Sequence, residues 1–406
     1  VDPTGQNVVF WHNHSKSRQE ALQEIINEFN ATNPWEIHVS EIYMGSYDDL
    51  YVRMLAAIAA GEGTPDLVVA YQNQAATYQM QDALLDMTSL VEGPAWGLTA
   101  AEIDDFFPGF WDQDIFSFFD GARLGFPPNR SMEVLFYNLD WIKELGYTAP
   151  PATPDEFSDM ACGAVSQPFS GGRGDASLGY MISMDASRFA SWVFAFGGDL
   201  YDTAANQYTL NSPEAVNAMT FLQGLIDDGC AAVATELYED QTRFGAGELL
   251  FSIGSSTGIP FYQAAVDAGA QFDWSVGAIG HTTPDPVMDI YGASISMPRH
   301  TPEREVAAWL FLKYFTSTAV QVKWAKVSSY FPVRQSTADG LDTYLAANPQ
   351  YAAAFELLPY SKAEPSTPYY DLVRTLIVEA MMDIMNGADV TLTLNALNLN
   401  ANATLP

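Results

Sequence analysis

Apolar residues in the first seventy positions follow two alternating rhythms. Short runs at VVFWH (8–12), IHVSEIYM (37–44) and DLVVAY (66–71) are separated by two stretches in which apolar residues recur at helical spacing. In the first stretch, residues 15–30, the apolar face is Ala21, Leu22, Ile25, Ile26 and Phe29, and Ser17 with Glu20 has capping-box spacing. The second, residues 46–60, begins at Ser46, an N-cap residue, and carries Asp48 and Asp49 in its first turn. It buries Leu50, Met54, Leu55 and Ile58 and stops at Gly61. Strand, helix, strand, helix, strand predicts the opening of a parallel α/β sheet. Such sheets take ligands outside the carboxyl ends of their strands, which draws attention to Trp11, His12 and His14.

Further along, helical spacing recurs over 153–165, 187–196, 211–229, 301–315 and 368–387. A strand is predicted at 133–137, a strand then a turn over 177–185, a strand running into a Gly/Ser turn over 248–260, and a strand and loop from 290 to the helix begun at Thr301–Pro302; the end of the chain reads as a weak or frayed helix. The pair Pro127–Pro128 cannot lie inside a central strand and reads as a crossing between two lobes. GGRGD (171–175) reads as a surface loop, its RGD triplet a product of glycine-rich, acidic composition.

At 406 residues the chain exceeds one ordinary core, so two lobes are expected. It opens on Val1 rather than Met, which leads us to expect a mature form from which a leader was removed. Seventeen Lys and Arg stand against fifty Asp and Glu, a net charge of −33. Without basic clusters neither nucleic acid nor an anionic membrane surface is a suitable partner. So acidic a surface favours a soluble monomer. The only cysteines, Cys162 and Cys230, suit either one disulfide of an exported protein or two buried thiols. No Cys/His spacing suits structural zinc, and no metal or cofactor is expected.

Three chemistries fit fragments of the sequence. His12-x-His14 at a strand end is a metal-ligand spacing, but only His38, His281 and His300 remain to complete such a site. Gly254-Ser255-Ser256-Thr257-Gly258 satisfies the nucleophile-elbow pattern, with Ser256 as nucleophile and His281 or His300 as base. Against it, Ile259–Pro260 interrupts the helix that should follow directly, and no oxyanion loop precedes it. The third reading is a two-lobed binding protein: aromatics and small polar turns scattered along the chain, with no catalytic cluster. Aromatic faces stack on sugars, and Asn, Gln, Ser and Tyr satisfy hydroxyl groups.

FWH (10–12), FNATNP (29–34), GSYDDL (45–50), GTPDLVVAY (63–71), SMEVLFYNLD (131–140), GYMIS with GGDLYD (179–202), GASISMP (292–298), SSYFPVR (328–334) and the late PYYDLVRTLI helix follow one another collinearly. In that order and spacing the chain resembles extracellular solute-binding proteins of family 1, the capture component of ABC importers. Within that family it is most similar to the type that binds glycerol-3-phosphate and glycerophosphodiesters. The resemblance implies a two-lobed, periplasmic-binding-protein-like α/β fold (type II) with the ligand cleft between lobes, no enzymatic activity, an extracytoplasmic location, free or lipid-anchored, and a permease as partner. It implies lobes of 1–127 with 254–318 and 128–253 with 319–406, crossing near 124–129, 252–257 and 315–320. The ligand contacts it implies are Trp11, His12, Tyr47, Gln72, Ser131, Asp185, Ser256, Gly292, Tyr330 and Arg374, with Arg374 as the counter-charge for a phosphate and Arg188 and Arg130 in reserve. Two departures leave a mono- or oligosaccharide open. Gln72 stands where that type usually has Glu, and MISMDAS (181–187), with Met184 and Asp185, replaces its Trp pair.

Overall fold

In the computed structural model, which describes residues 1–174 and 176–406, the chain divides into two compact units. Asp175, the last residue of the RGD triplet, lies outside the described residues. The strands that build the two main sheets are β1 (Asn7–His12), β2 (His38–Tyr43), β3 (Leu67–Ala70), β4 (Ser131–Asn138), β5 (Leu178–Ile182), β6 (Ala231–Val233), β7 (Leu249–Ser255), β8 (Trp274–Gly277), β9 (Met288–Tyr291), β10 (Ser294–Ser296) and β11 (Ser361–Ala363). The helices used below are α1 (Ser17–Thr32), α2 (Tyr47–Ala60), α3 (Gln72–Gln79), α4 (Pro154–Ser166), α5 (Ala186–Ala195), α6 (Pro302–Phe315), α7 (Thr318–Ser328) and α8 (Tyr370–Met385).

Unit 1 comprises Val1–Arg130, Tyr291–Tyr344 and Pro365–Tyr370. Its four-stranded sheet has the order β10-β3-β1-β2, with β1 parallel to both neighbours and β10 antiparallel to β3. The two βαβ steps read from the first seventy residues are present. Ser46 caps α2 by accepting from the Asp49 amide, while Asp49 returns a bond to the Ser46 amide, and Gly61 ends the helix at φ 71°. The cap of α1 differs from expectation. Lys16, at φ 53°, is the N-cap residue and makes no side-chain cap bond, so Ser17 is already the first helical residue.

Unit 2 comprises Ser131–Ile290, Leu345–Glu364 and Asp371–Pro406. Its seven-stranded mixed sheet has the order β6-β5-β7-β4-β9-β11, with β8 pairing the far end of β4. All eight residues of β4 are buried, Glu133 among them. A charge in the middle of a fully buried strand must be satisfied by the fold.

The boundaries between the units differ from those expected at sequence level. The chain leaves unit 1 after Arg130, close to Pro127–Pro128, but it does not return at residue 254. β8 pairs antiparallel with β4, so everything through Ile290 stays in unit 2. Where one strand is expected from residue 290, there are two, interrupted at Gly292, whose φ of 149° is open to glycine and strained for other residues. Residues 319–344 stay with unit 1 because α7 is tied to it. Gln321 Nε2 donates to Pro128 O at 3.0 Å, and Trp324 Nε1 donates to Asn129 Oδ1 at 2.8 Å. Two further crossings flank residues 365–370.

Cys162, on α4, and Cys230, just before β6, form a disulfide that closes a separation of 68 residues within unit 2. In the chain-entropy account, a loop of that size contributes about 4 kcal/mol. The double substitution Cys162→Ser, Cys230→Ser is expected to lower unfolding free energy by roughly 2–5 kcal/mol in denaturant titration. A variant as stable as the parent would show that the bridge constrains nothing.

Candidate functional site

In unit 1 the expected site residues fall into two connected groups. The first is a polar node at the carboxyl edge of β3. Arg130, with no exposed side-chain surface, donates through Nη2 to Asp114 Oδ2 at 3.0 Å and to Ser294 Oγ at 2.7 Å, and through Nη1 to the Asn129 carbonyl at 2.9 Å. Ser294 Oγ in turn donates to Asp114 Oδ2 at 2.7 Å. Gln72, the first residue of α3, is buried and directs its Nε2 at Asp114 Oδ1 (3.2 Å), Gly292 O (3.3 Å) and Ser294 Oγ (3.1 Å). This arrangement explains an amide at position 72. A carboxylate there would face Asp114 and a carbonyl with nothing to donate.

The second group is aromatic. The rings of Tyr47 and Tyr71 lie 4.7 Å apart, and the Tyr47 hydroxyl is hydrogen-bonded to Asn13 and Tyr330. Burial, then the neighbouring Tyr71 and Tyr330, raises the Tyr47 phenol well above its ordinary range, so it stays protonated. Arg18 lies over the Tyr330 ring at 4.5 Å and donates to Ser328 O at 2.7 Å, which fixes the SSYFPVR turn.

The opening histidines are engaged internally. His12 is fully buried; its Nδ1 accepts from the His14 amide at 3.1 Å and its Nε2 meets Glu41. His14 stacks on His12 and packs edge-on against Trp324. Burial first, then His12 and Arg18, pushes the His14 pKa down to about 3. Trp11 is half-buried on β1, opposite Ile42 and Val68. A cavity of about 830 Å³ in this unit, lined by Phe29, Trp35, Trp96, Leu310, Tyr314 and Arg334 among others, contains none of the expected site residues.

Unit 2 gathers the others around a set of charges. Arg374, near the start of α8, donates from Nη1 to both Glu364 oxygens (2.8 and 2.6 Å) and from Nη2 to Asp185 Oδ1 at 2.9 Å. Asp185 caps α5 through the Ser187 amide, and Ser187 Oγ donates to Glu364 at 2.6 Å. Burial acts to raise the Asp185 pKa, but Arg374, Arg188 and Ser187 together hold it below the ordinary carboxylate range. Arg188 pairs with Glu133 and donates to Ser183 Oγ at 3.1 Å. Ser256 Oγ accepts from the Met132 amide at 3.1 Å, leaving its own proton to donate. Ser131 is buried at the start of β4.

Four participants were missed at sequence level: Asp114, Glu133, Asp289 and Glu364. Two carried a usable signal. Glu133 and Asp289 are charges inside apolar strand patterns, SMEVLFYN and VMDIY. Asp114 and Glu364 sit in aperiodic segments, where nothing in the spacing separates them from solvated acids.

Residues 24–354 match the family described as bacterial extracellular solute-binding protein. The chain belongs to this family. This solute-binding protein is 22% identical over 341 residues to the sn-glycerol-3-phosphate-binding periplasmic protein UgpB of Shigella dysenteriae, covering 82% of this chain and 75% of the relative. Among solved structures, the sugar-binding protein MalE of Xanthomonas citri matches with a TM-score of 0.85 at 19% identity, over 98% of this chain and 97% of that one. UgpB of Mycobacterium tuberculosis, in complex with glycerophosphocholine, matches with a TM-score of 0.73 at 23% identity, over 98% of each chain. The fold is therefore the α/β periplasmic-binding-protein fold.

Membership also decides between the three chemistries: the family captures solutes, and the protein is not an enzyme. Locally, no hydrogen bond among the described residues joins Ser256 to His281 or His300. Ser256 Oγ is bonded to backbone, His281 Nδ1 to Thr283 O at 2.8 Å and His300 Nε2 to Pro65 O at 2.9 Å. Both ring nitrogens of His12 are occupied.

Asp289, on β9, is buried, and neither carboxyl oxygen has a hydrogen-bond partner. Burial, then Glu364 and Glu133, raises its pKa well above the ordinary range. A carboxyl raised on folding costs nothing below the unfolded value, near pH 4, and progressively more as pH climbs toward the folded value. Asp289→Asn is thus expected to raise the thermal midpoint near pH 8 and to change it little near pH 4. A gain that is the same at both pH values would contradict the buried, protonated assignment.

Proposed function

We propose that this protein is the extracytoplasmic capture component of an ABC importer and that its solute is a hydroxyl-rich sugar or polyol without a phosphate. Each unit by itself carries candidate contacts for it, and the captured solute passes to the permease. Tyr47, Gln72, Gly292 and Tyr330 act from unit 1, and Ser131, Asp185, Ser256 and Arg374 from unit 2. Tyrosine faces supply stacking for sugar rings, and hydroxyl and amide groups supply hydrogen bonds. The observation that carries the choice of solute is the state of Arg374. The counter-charge a phosphate requires already makes three hydrogen bonds to two carboxylates. A phosphate would have to displace carboxylates from it and remain beside them, against like-charge repulsion. Arg188 is similarly committed to Glu133, and Arg130 to Asp114.

Calorimetric titration of the purified protein with mono- and oligosaccharides, glycerol-3-phosphate and glycerophosphocholine tests this reading. Expected is saturable binding of a sugar without turnover, and no heat from glycerol-3-phosphate. Tighter binding of glycerol-3-phosphate, abolished by Arg374→Ala, would reinstate the phosphate ligand.

A further inference from the structure

Six ionisable groups act on one another in unit 2. Glu133 on β4, Asp185 at the cap of α5, Asp289 on β9 and Glu364 just beyond β11 are carboxylic acids, while Arg188 on α5 and Arg374 on α8 are guanidinium groups. The two cations are already committed. Arg188 pairs with Glu133, and Arg374 with Asp185 and Glu364. Asp289 remains outside every ion pair and hydrogen bond, although it is 1% exposed. Buried carboxyl groups are ordinarily satisfied, and one that is not requires a reason.

Asp289 has no nearby cation to recruit from its own sheet. Lys362 is its register partner on β11, but the Lys362 ammonium goes to Asp199 at 2.7 Å and lies over the Phe194 ring at 4.7 Å. The groups whose charges act on Asp289 are Glu364, Glu133, Arg374 and Asp185, three of them acids. A second anion in this cluster is therefore repelled, and a neutral hydroxyl leaves the excess of acid uncompensated. The chemical complement is a group that brings both positive charge and several donors, as an ammonium does with three N–H bonds. A metal ion is a poorer complement: among the described residues, no group of three or more His, Cys, Asp or Glu is placed to hold one.

We propose that the carboxyl cluster of unit 2, through the unpartnered Asp289, receives a protonated amino group, so that the solute class is an amino sugar or amino polyol. This inference rests on the reading of the protein as a binder of hydroxyl-rich solutes. On binding, Asp289 gives up its proton and its carboxylate accepts hydrogen bonds from the incoming ammonium. The released proton goes to solvent.

The test is calorimetric titration with matched trios: glucose, glucosamine and glucose 6-phosphate; glycerol, 3-amino-1,2-propanediol and glycerol-3-phosphate. The amino member is expected to bind about tenfold or more tightly than its neutral counterpart, the difference one charge-assisted hydrogen bond makes. Asp289→Asn should erase that preference. Titration of the parent protein in two buffers of different ionisation enthalpy, which does not depend on the variant folding, should show proton release with the amine alone. Equal or tighter binding of the neutral member, absence of proton release, or an unchanged preference in Asp289→Asn overturns the proposal and leaves the solute reading intact, whereas tightest binding of the phosphate member overturns both. If no member of either trio binds, this proposal fails, and the titration with mono- and oligosaccharides decides the solute reading separately.

Discussion

A guanidinium group with no exposed surface must find its partners inside the protein, and Arg130 does so in a way that organises unit 1. Desolvation of such a charge costs several kcal/mol, about as much as a marginally stable domain has in hand. Asp114, Ser294 and the Asn129 carbonyl accept from its two terminal nitrogens, and Gln72 fills the remaining side of Asp114. That arrangement ties the start of α3 to β10 and to the last residue before the chain leaves the unit. Gly292, with a φ of 149°, lets the backbone run close to Arg130 at the point where one expected strand becomes two.

Unit 2 handles buried charge differently. Its arginines neutralise three carboxylates and leave a fourth, Asp289, without a partner. Unit 1 thus presents an arginine paired with its own aspartate, and unit 2 presents an excess of acid. The difference bears directly on solute class. Positive charge in this chain is scarce, and the arginines expected to meet a phosphate are spent on the protein's own carboxylates.

The fold was largely legible because its signals are local. The 2.0 and 3.6 residue periods of the first seventy positions place β1, α1, β2, α2 and β3 within a residue or two of their observed limits, and Ser46 and Gly61 mark the ends of α2. Boundaries between units were less legible because they depend on pairing far apart in sequence. Nothing in residues 274–277 announces that they will pair with 135–138 and hold the chain in unit 2. At the candidate site, residue types were easier to name than their commitments. Arg374 reads from sequence as a free cation before an apolar run, and only Glu364 and Asp185, ten and 189 residues away, reveal it as spent. Glu133 and Asp289 were visible as charges in buried strands, yet their meaning required knowing which arginines lay nearby.

The central claim is that Arg130, Arg188 and Arg374 serve the protein's own carboxylates and that the solute is recognised through hydroxyl groups rather than a phosphate. Native mass spectrometry of the protein purified without refolding measures this directly, because a tightly held solute travels with it. The account predicts a bound hydroxyl-rich molecule whose mass contains no phosphorus. A phosphate ester recovered at stoichiometric occupancy would contradict it.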